Sequence, residues 1–550
     1  MPSPDPQTDR WWHRTTIYQI YPRSYFDSNG DGIGDLPGII GKLDYIRDLG
    51  FETVWVSPFF ASPQVDFGYD ITDYLSVAPE YGSVEDVDRL VDEAHARGLK
   101  VMFDLVLNHT SDQHPWFVES RSSRNNPKSD WYIWADGKGR RRPNNWRAAN
   151  LISSAWNFCP LRGQYYLASF LSIQPDLNYH HPDVKQTMLD VVRFWLRKGV
   201  DGFRLDMFGS IIKDRDLRNN PFNRRPRFME GTPVPELFVQ KYNLNTEETF
   251  AFARELRAVC AEFDNPERIL LGEVFGSPQV LRRYLGGDDG LQLVFLFDFL
   301  RYSYNADFFR RRIAAYERNF PGPLQPTYVL SNHDRTRSCS RVDGDLRKAK
   351  VLAVLLLTVR GVPTVYMGEE VGMTNTPVPL AQAQDILAKS FAFLPEGAFQ
   401  ALQRILKETL NRDEVRTPMQ WDGSTHAGFC PDNVTPWLPI NENRHERSVA
   451  AQVGKDGSLL ELHRNLLHLR RTHPALHSGD LTMMEETPLD VLGYRRRAEN
   501  DSTVVFLNFS DGLASVRVDA GDILISTDSA NHVDDGTLYL HPHSAVIASA

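Results

Sequence analysis

The chain has 550 residues and a formal net charge of −10 at pH 7; 41% of its residues are hydrophobic and 24% are charged. These values are ordinary for a globular protein of several domains, and the acidic balance without a basic run argues against nucleic-acid binding. No apolar run is long enough to span a bilayer and no secretory signal is visible, so we expect a cytoplasmic protein without a membrane partner.

Eight short apolar or β-branched segments alternate with amphipathic helical segments along most of the chain. In chain order they are TIYQIYP, TVWVSP, KVMFDLV, GFRLDM, RILLGEVF, LQLVFLFDF, TYVLSNHD and VPTVYMGEE. Strands that alternate with helices in this way are typical of parallel sheets with helical crossovers. Eight strand–helix units predict an α/β fold with a (β/α)8 barrel rather than an open sheet.

Two long connections and a C-terminal tail extend this barrel. The barrel is predicted to occupy residues 1–104 and 179–478, with an inserted small domain at 105–178 after the third strand. Residues 371–455 form a long, partly helical excursion after the eighth strand. Short alternating runs such as STVVFLNFS predict a C-terminal antiparallel β-sandwich over residues 479–550.

The segment YFDSNGDGIGDLPG, after the first predicted strand, has the sequence pattern of a calcium-binding loop. Positions 1, 3, 5 and 9 of an EF-hand loop fall on Asp27, Asn29, Asp31 and Asp35, with the Ile33 carbonyl as a further oxygen donor. An EF-hand sensor is excluded because Gly38 stands where its bidentate Glu belongs and a strand, not a helix, precedes the loop. An oxygen cage for Ca²⁺ or Mg²⁺ and a plain Asp- and Gly-rich turn both remain open.

Ionisable residues follow several predicted strands, at the rim where barrel enzymes carry their active sites. Arg204 and Asp206 share one face of the fourth strand, so the arginine is expected to keep Asp206 ionised. Glu273 follows an apolar run that favours its protonated form, and His333 and Asp334 end the seventh strand. The third strand adds Asp104, Asn108 and His109. Cleavage of a glycosidic bond requires one carboxylate and one carboxylic acid at the same site, which this set could provide. The alternative is that these residues form ordinary salt bridges at the rim.

The ordered motifs DLVLNHTSD, GFRLD, GEV and SNHD resemble those of the α-amylase superfamily, glycoside hydrolase family 13. The stretches FGYDITDY, PNNW, QPDLNY, YMGEEVGM and RTPMQW are similar to bacterial α-glucosidases and oligo-1,6-glucosidases. The resemblance implies a retaining mechanism with Asp206 as nucleophile, Glu273 as general acid/base and Asp334 as the third carboxylate. Such a mechanism forms a covalent glucosyl–enzyme intermediate, and its two catalytic carboxyls lie about 5–5.5 Å apart.

The same resemblance implies the rest of a glucose pocket. Tyr69 would be a stacking platform, and Asp66 and Arg416 look like an ion pair that closes the pocket around a terminal non-reducing glucose. This favours release of single glucose units from short oligosaccharides or α-glucosides. Further substrate-binding residues implied are His109, Phe170, Gln174, Arg204 and His333.

The resemblance also places a metal loop directly after the first barrel strand. Asp27, Asn29, Asp31, the Ile33 carbonyl and Asp35 would then hold one structural Ca²⁺ or Mg²⁺ ion. No organic cofactor is implied. A monomer or small homo-oligomer is expected.

Two positions depart from the family pattern and are candidates for tuning linkage preference. Met207 follows the nucleophile where Val, Thr or Ala is common, and Arg335 replaces a glutamine after the NHD motif. The preferred linkage and the balance between hydrolysis and transfer therefore stay open. The alternatives are a glucosyltransferase or isomerase of the same family, such as a trehalose synthase or a sucrose-acting enzyme, and a non-catalytic barrel that serves as a binding partner.

Overall fold

Eight parallel strands form a closed barrel in the computed structural model, which describes residues 10–139, 141–149, 151, 153–225, 236–406, 408–519 and 521–550. The strands are β1 Ile17–Ile20, β2 Thr53–Val56, β3 Lys100–Leu105, β4 Gly202–Leu205, β5 Ile269–Gly272, β6 Leu293–Val294, β7 Thr327–Val329 and β8 Val362–Tyr366. They are hydrogen-bonded in the order β6-β5-β4-β3-β2-β1-β8-β7. A parallel bridge between Phe295 and Thr327 joins β6 to β7 and closes the ring. The predicted (β/α)8 barrel is confirmed.

Apolar side chains fill the inside of this barrel. One buried cluster draws on seven of the strands, through Ile17, Trp55, Met102, Ile269, Leu293, Val329 and Val362. Every second residue of a strand faces inward, so the residue two positions after each of these apolar residues also faces the barrel axis, nearer the C-terminal end. The interior is therefore a packed core rather than a pore, and polar chemistry is confined to the rim.

Amphipathic helices cover the outside of the strands. These helices are Leu36–Ile40, Leu43–Leu49, Val84–Ala96, Pro182–Arg197, Glu247–Ala261, Pro278–Leu285, Ala306–Asn319, Leu346–Thr358 and Leu459–Thr472. Further helices in the described chain are Trp11–Arg14, Pro115–Ser122, Ser338–Arg341, Ile386–Lys389, Glu396–Leu406, Val449–Gln452 and Pro474–His477. Within the described ranges, no helix is long and apolar enough to cross a bilayer.

Further β structure lies outside the barrel, beginning with an antiparallel pair of Phe60–Ala61 and Asp73–Val77 after β2. The connection after β3 contains a three-stranded antiparallel sheet of Trp134–Ala135, Gln164–Leu167 and Trp156–Cys159. The C-terminal part has a five-stranded sheet of Asp480–Met483, Val491–Ala498, Asp501–Asn508, Ala545–Ser549 and Ile523–Ser526, and a three-stranded sheet of Ala514–Arg517, Thr537–Leu540 and His532–Asp534. Val504 and Leu538 belong to one core shared by both sheets, so the C-terminal part is an antiparallel sandwich.

Gly361 allows the chain to pass close to the segment before β7 as it enters β8. Its φ is +136°, and an added Cβ would lie 2.3 Å from the carbonyl oxygen of Pro326. We expect Gly361→Ala to lower the free energy of unfolding by about 2–4 kcal/mol. Gly454→Ala is the control, because its φ is also positive (+69°) but no described atom lies within 4 Å of its added Cβ. The control should cost only about 1 kcal/mol. Thermal unfolding midpoints compare the two, and equal shifts would contradict the importance of this contact.

Candidate active site

Three carboxylates from neighbouring strands converge on the guanidinium of Arg204. Its Nη1 lies 2.8 Å from Oδ1 of Asp104 and 2.9 Å from Oδ1 of Asp206, and its Nη2 donates to Glu273. The strand register produces this arrangement, since Asp104 on β3 pairs directly with Arg204 on β4. All four side chains are buried at the C-terminal rim.

The backbone after β4 turns sharply and holds the acid from β5 in place. Met207 has a left-handed φ of +39°, and its N–H donates to Oε2 of Glu273 at 3.1 Å. The N–H of Glu273 donates in turn to the carbonyl of Leu205 at 2.9 Å. Asp206 and Glu273 therefore lie next to each other with their backbones fixed. Met207 itself is half-buried beside them.

Burial and mutual repulsion favour protons in this cluster. Burial raises the pKa of Asp104 to about 6, with Arg204 opposing the shift. Burial also raises the pKa of Asp206, and the charges of Glu273 and Asp104 add to the effect while Arg204 opposes it. The expectation that Arg204 keeps Asp206 ionised is therefore not supported, because burial and the two neighbouring carboxyls outweigh the arginine. Arg204 is thus the one cation that these three acids share, and each carboxyl disfavours the charge of its neighbours.

Asp334, after β7, lies among cations. Its Oδ1 accepts from Nη2 of Arg416 at 2.8 Å and lies 3.3 Å from Nη1 of Arg412. Burial alone would raise the pKa of Asp334, but the neighbouring cations outweigh burial and hold it below its ordinary value. Asp334 is therefore ionised at neutral pH, in contrast to the cluster around Arg204.

A chain of hydrogen bonds fixes the aromatic wall of the site. Gln19 Nε2 lies 2.7 Å from Nδ1 of His333, and Nε2 of His333 lies 2.7 Å from the hydroxyl of Tyr69. That hydroxyl donates to Oδ2 of Asp104 at 3.1 Å. The rings of Tyr69 and His333 are stacked, with centroids 5.6 Å apart. Burial lowers the pKa of His333 to about 3, so its ring is neutral at pH 7. The hydrogen bond from this ring helps to orient the Tyr69 hydroxyl.

The expected ion pair between Asp66 and Arg416 is wrong. Asp66 Oδ1 accepts from Nη2 of Arg412 at 2.8 Å, and its Oδ2 accepts from Nε2 of Gln174 at 3.0 Å. Arg416 binds Asp334 and donates from Nε to the carbonyl of His333 at 2.9 Å. Residues Arg412–Val415 form a 3-10 turn that places both arginines near the pocket. The RTPMQW motif alone does not reveal which of the two reaches Asp66.

His109 contacts both Tyr69 and Phe170. His109 Nε2 is 3.0 Å from the carbonyl oxygen of Tyr69, and its ring centroid is 5.2 Å from that of Phe170. Burial lowers the pKa of His109 to about 4, which keeps it neutral. The predicted pocket residues are thus in contact with one another around Tyr69.

Arg412 and Asp385 were not identified from the sequence. The carboxylate of Asp385 accepts from the backbone N–H of Arg412 at 2.9 Å, and from its Nε at 3.1 Å and its Nη2 at 2.7 Å. Asp385 is fully buried, and the charge of Arg412 outweighs burial to lower its pKa. The four-residue spacing of the arginines in NRDEVR was a usable signal for Arg412. No local pattern marks Asp385, which lies 27 residues away.

Arg335 is a half-buried arginine close to Asp334. Its N–H donates to the carbonyl of Asn332 at 3.4 Å, and its charge contributes to the lowered pKa of Asp334. Among the residues described, its guanidinium makes no hydrogen bond or ion pair. It is thus a cation near the site whose charge is available to a ligand.

The carboxylates of the metal-like loop bind the loop's own backbone. Asp27 Oδ1 accepts from the N–H of Gly30 at 2.6 Å and its Oδ2 from that of Gly32 at 2.8 Å. Asp31 accepts from the N–H of Ile33 at 2.8 Å and lies 3.3 Å from the Nδ2 of Asn29.

Asp35 also has partners, since it accepts from Ser28 and caps the helix Leu36–Ile40 through the N–H of Gly38. The oxygen donors fit a hard cation in chemistry. In the described ranges, however, no group of three or more His, Cys, Asp or Glu residues is arranged to hold a metal ion. The bound ion remains a prediction.

Comparison with known proteins agrees with the geometry. The profile of the family described as alpha amylase, catalytic domain, matches residues 19–479. A probable alpha-glucosidase of Rhizobium meliloti (strain 1021) is 41% identical over 527 residues, covering 93% of this chain and 91% of that protein. An oligo-1,6-glucosidase of Parageobacillus thermoglucosidasius is 36% identical over 523 residues, 91% of each chain.

Solved structures are similar over nearly the whole chain. An alpha-glucosyl transfer enzyme has a TM-score of 0.88 at 38% identity, covering 98% of this chain and 99% of its own. A trehalulose synthase variant has a TM-score of 0.88 at 33% identity, covering 98% of this chain and 100% of its own. The profile match and these relatives show that the chain is a glycoside hydrolase of the α-amylase family, glycoside hydrolase family 13.

Proposed function

We propose that this protein is an exo-acting, retaining α-glucosidase that removes terminal non-reducing glucose from short oligosaccharides or α-glucosides. The observation that carries this proposal is the pairing of Asp206 and Glu273 on one guanidinium, with Asp334 held ionised beside them. Relatives named alpha-glucosidase and oligo-1,6-glucosidase support the substrate class.

The two carboxyls divide the chemistry between them. The carboxylate of Asp206 attacks the anomeric carbon while Glu273 gives its proton to the departing glycosidic oxygen. The sugar is then joined to Asp206 through an ester bond. Glu273, now ionised, takes a proton from water as the water oxygen displaces Asp206 from the anomeric carbon. Two displacements return glucose with its original α configuration.

The remaining residues hold the terminal glucose. Asp334 accepts hydrogen bonds from ring hydroxyls, and Arg416 keeps it oriented. Asp66, Arg412 and Gln174 form a connected polar group that closes the pocket and binds the hydroxyls farthest from the scissile bond. Tyr69 provides the flat face against which the sugar ring packs. A pocket closed in this way releases one glucose at a time.

Glucosyl transfer is a second candidate function. It uses the same intermediate and differs only in that a sugar hydroxyl, rather than water, attacks the anomeric carbon. The observation that favours it is the guanidinium of Arg335, which lies near Asp334 without a described side-chain partner and is able to bind an acceptor. The similarity to an alpha-glucosyl transfer enzyme supports the same possibility.

We expect Asp206→Asn to lower kcat on a p-nitrophenyl α-glucoside by about 10³-fold or more, because the nucleophile is lost. Asp88→Asn is the control, since Asp88 pairs with Lys198 on the outside of the barrel and should leave activity unchanged. Glucose release is measured from maltose, isomaltose, sucrose and the aryl glucoside, with NMR detection of the first anomer formed. Release of β-glucose, or full activity in the variant, would contradict the proposed mechanism.

The same assay at high substrate concentration separates the two candidate functions. Glucose as the main product from each substrate supports hydrolysis. New oligosaccharides or sucrose isomers that appear in place of glucose support transfer. The ranking of the substrates also gives the preferred linkage.

Asp385→Asn is expected to raise KM for the aryl glucoside about tenfold, with a smaller change in kcat. The carboxylate of Asp385 fixes Arg412, and a loosened arginine weakens the closed end of the pocket. Glu414→Gln is the matched control, because Glu414 is a buried acid of the same segment whose bonds go to Gln403 and Thr409. Similar KM changes in both variants would mean that Asp385 acts only through general stability.

We also propose that the loop of Asp27, Asn29, Asp31, the Ile33 carbonyl and Asp35 holds a structural Ca²⁺ or Mg²⁺ ion. Removal of metal with EDTA should then lower the thermal unfolding midpoint, and added Ca²⁺ should restore it. An ion at 100 times its Kd contributes about 2.7 kcal/mol. Asp31→Asn should reduce this dependence while leaving kcat unchanged at moderate temperature. An EDTA-insensitive midpoint would show that the loop is a metal-free turn.

A further inference from the structure

Asp70 is a buried carboxylate beside the pocket that the proposed chemistry does not use. It ends the loop of residues 62–70, which connects two short antiparallel strands after β2. This loop carries two residues of the candidate site, Asp66 at the closed end and Tyr69 in the aromatic wall. The side chain of Asp70 is fully buried. Because a buried acid must be hydrogen-bonded, the partners of this carboxylate indicate its role.

Three donors of the loop converge on the Asp70 carboxylate. Its Oδ1 accepts from the hydroxyl of Ser62 at 2.8 Å and from the N–H of Asp66 at 3.0 Å. Its Oδ2 accepts from the N–H of Val65 at 3.0 Å. Within the described ranges the carboxylate has no ion-pair partner, so its bonds go to the loop itself. Asp70 thus joins the beginning of the loop to its end.

The backbone of the loop takes an unusual path exactly where Asp70 binds it. Gln64 and Phe67 have left-handed φ values of +62° and +46°, which residues with a side chain rarely adopt. Such conformations persist only where surrounding contacts fix them. The two backbone donors to Asp70 belong to Val65 and Asp66, the residues between these two left-handed positions. The carboxylate is therefore one of the contacts that fix the path.

Asp70 accepts all three donors because it is ionised at neutral pH. Burial and the charge of Asp66 raise its pKa to about 6, while its hydrogen bonds oppose the shift. An ionised carboxylate is purely an acceptor, so both of its oxygens can face N–H and O–H groups. An asparagine cannot replace it, because its NH2 group would face one of the two backbone N–H groups in either orientation.

The loop in turn places the two pocket residues. The N–H of Tyr69 donates to the carbonyl of Asp66 at 3.2 Å, so the backbones of these residues are coupled. The side chain of Asp66 accepts from Nη2 of Arg412 at 2.8 Å, and the hydroxyl of Tyr69 lies 2.7 Å from Nε2 of His333. A displacement of the Asp66 backbone would therefore disturb both the closed end and the aromatic wall.

We propose that Asp70 is a positioning residue that holds Asp66 and Tyr69 in the geometry needed to bind a terminal glucose. This inference rests on the proposed function, in which Asp66 and Arg412 bind the hydroxyls farthest from the scissile bond. Asp70 acts through the loop and makes no contact with the sugar. Its loss weakens recognition of the far end of the glucose and leaves the catalytic carboxyls in place.

The first test compares Asp70→Asn with the matched control Asp73→Asn. Asp73 follows the same loop, but it is exposed and accepts from the N–H of Leu75 and the hydroxyl of Ser76 instead. With p-nitrophenyl α-glucoside, Asp70→Asn should raise KM about tenfold and change kcat by less than about threefold. Asp73→Asn should match the parent in both constants. Equal KM values in the two variants would overturn the proposal.

A second substrate separates positioning from a general loss of structure. p-Nitrophenyl α-xyloside lacks the hydroxymethyl group of glucose, which is one of the groups farthest from the scissile bond. The preference for glucoside over xyloside in kcat/KM should fall about fivefold or more in Asp70→Asn and stay constant in Asp73→Asn. An unchanged preference in Asp70→Asn would contradict the positioning role, because a general loss of structure lowers both activities alike.

Hydrogen–deuterium exchange tests the same role without an activity assay. The amides of residues 62–69 should exchange about tenfold faster or more in Asp70→Asn than in the parent or in Asp73→Asn. Ser62→Ala is a milder variant that removes one of the three donors, so it should give a smaller change in the same direction even if Asp70→Asn fails to fold. Equal exchange in the parent and the loop variants would overturn the proposal. An inactive parent would contradict the proposed function instead, and the exchange rates would still decide the role of Asp70.

Discussion

The buried guanidinium of Arg204 is the interaction on which the site depends. Each buried carboxylate that lacks a partner costs several kcal/mol, and Arg204 contacts Asp104, Asp206 and Glu273 at once. Such sharing requires three adjacent parallel strands in a fixed register. A slip of one residue in β4 would turn Arg204 and Asp206 away from the barrel axis. The electrostatics of the site are therefore a consequence of how the barrel closes.

Core and active site are separated by very little chain. Along β3 the inward-facing residue changes from Met102 to Asp104, and along β5 it changes from Leu271 to Glu273. Each change takes two residues, about 7 Å of extended strand. The apolar layer beneath excludes water from one side of the carboxylates, and this burial raises the pKa values of Asp104 and Asp206. The core that stabilises the barrel thus also sets the proton affinity of the site.

Local patterns were enough to predict the barrel and the cluster of ionisable residues at the C-terminal ends of its strands. Arg204 and Asp206 could be placed on one face because strand periodicity is a local property, and Glu273 and Asp334 follow recognisable strands. The partner of Asp66 could not be predicted in this way. It depends on the path of residues 371–455, where Arg412 and Arg416 are both near the pocket and only three-dimensional packing decides between them. Asp385 had no local signal for the same reason.

The excursion after β8 carries Arg412 and Arg416 and is held together by its own hydrogen bonds. The carboxylate of Asp413 accepts from the N–H groups of Gln384 at 2.6 Å and Asp385 at 3.0 Å, while Asp385 accepts from the N–H of Arg412. Two distant parts of the excursion thus hold each other through their own backbones. The guanidiniums of Arg412 and Arg416 pair with three carboxylates, those of Asp66, Asp334 and Asp385. The charge of Arg335 beside Asp334 brings this group close to neutrality. Such an end suits the hydroxyl groups of a neutral sugar.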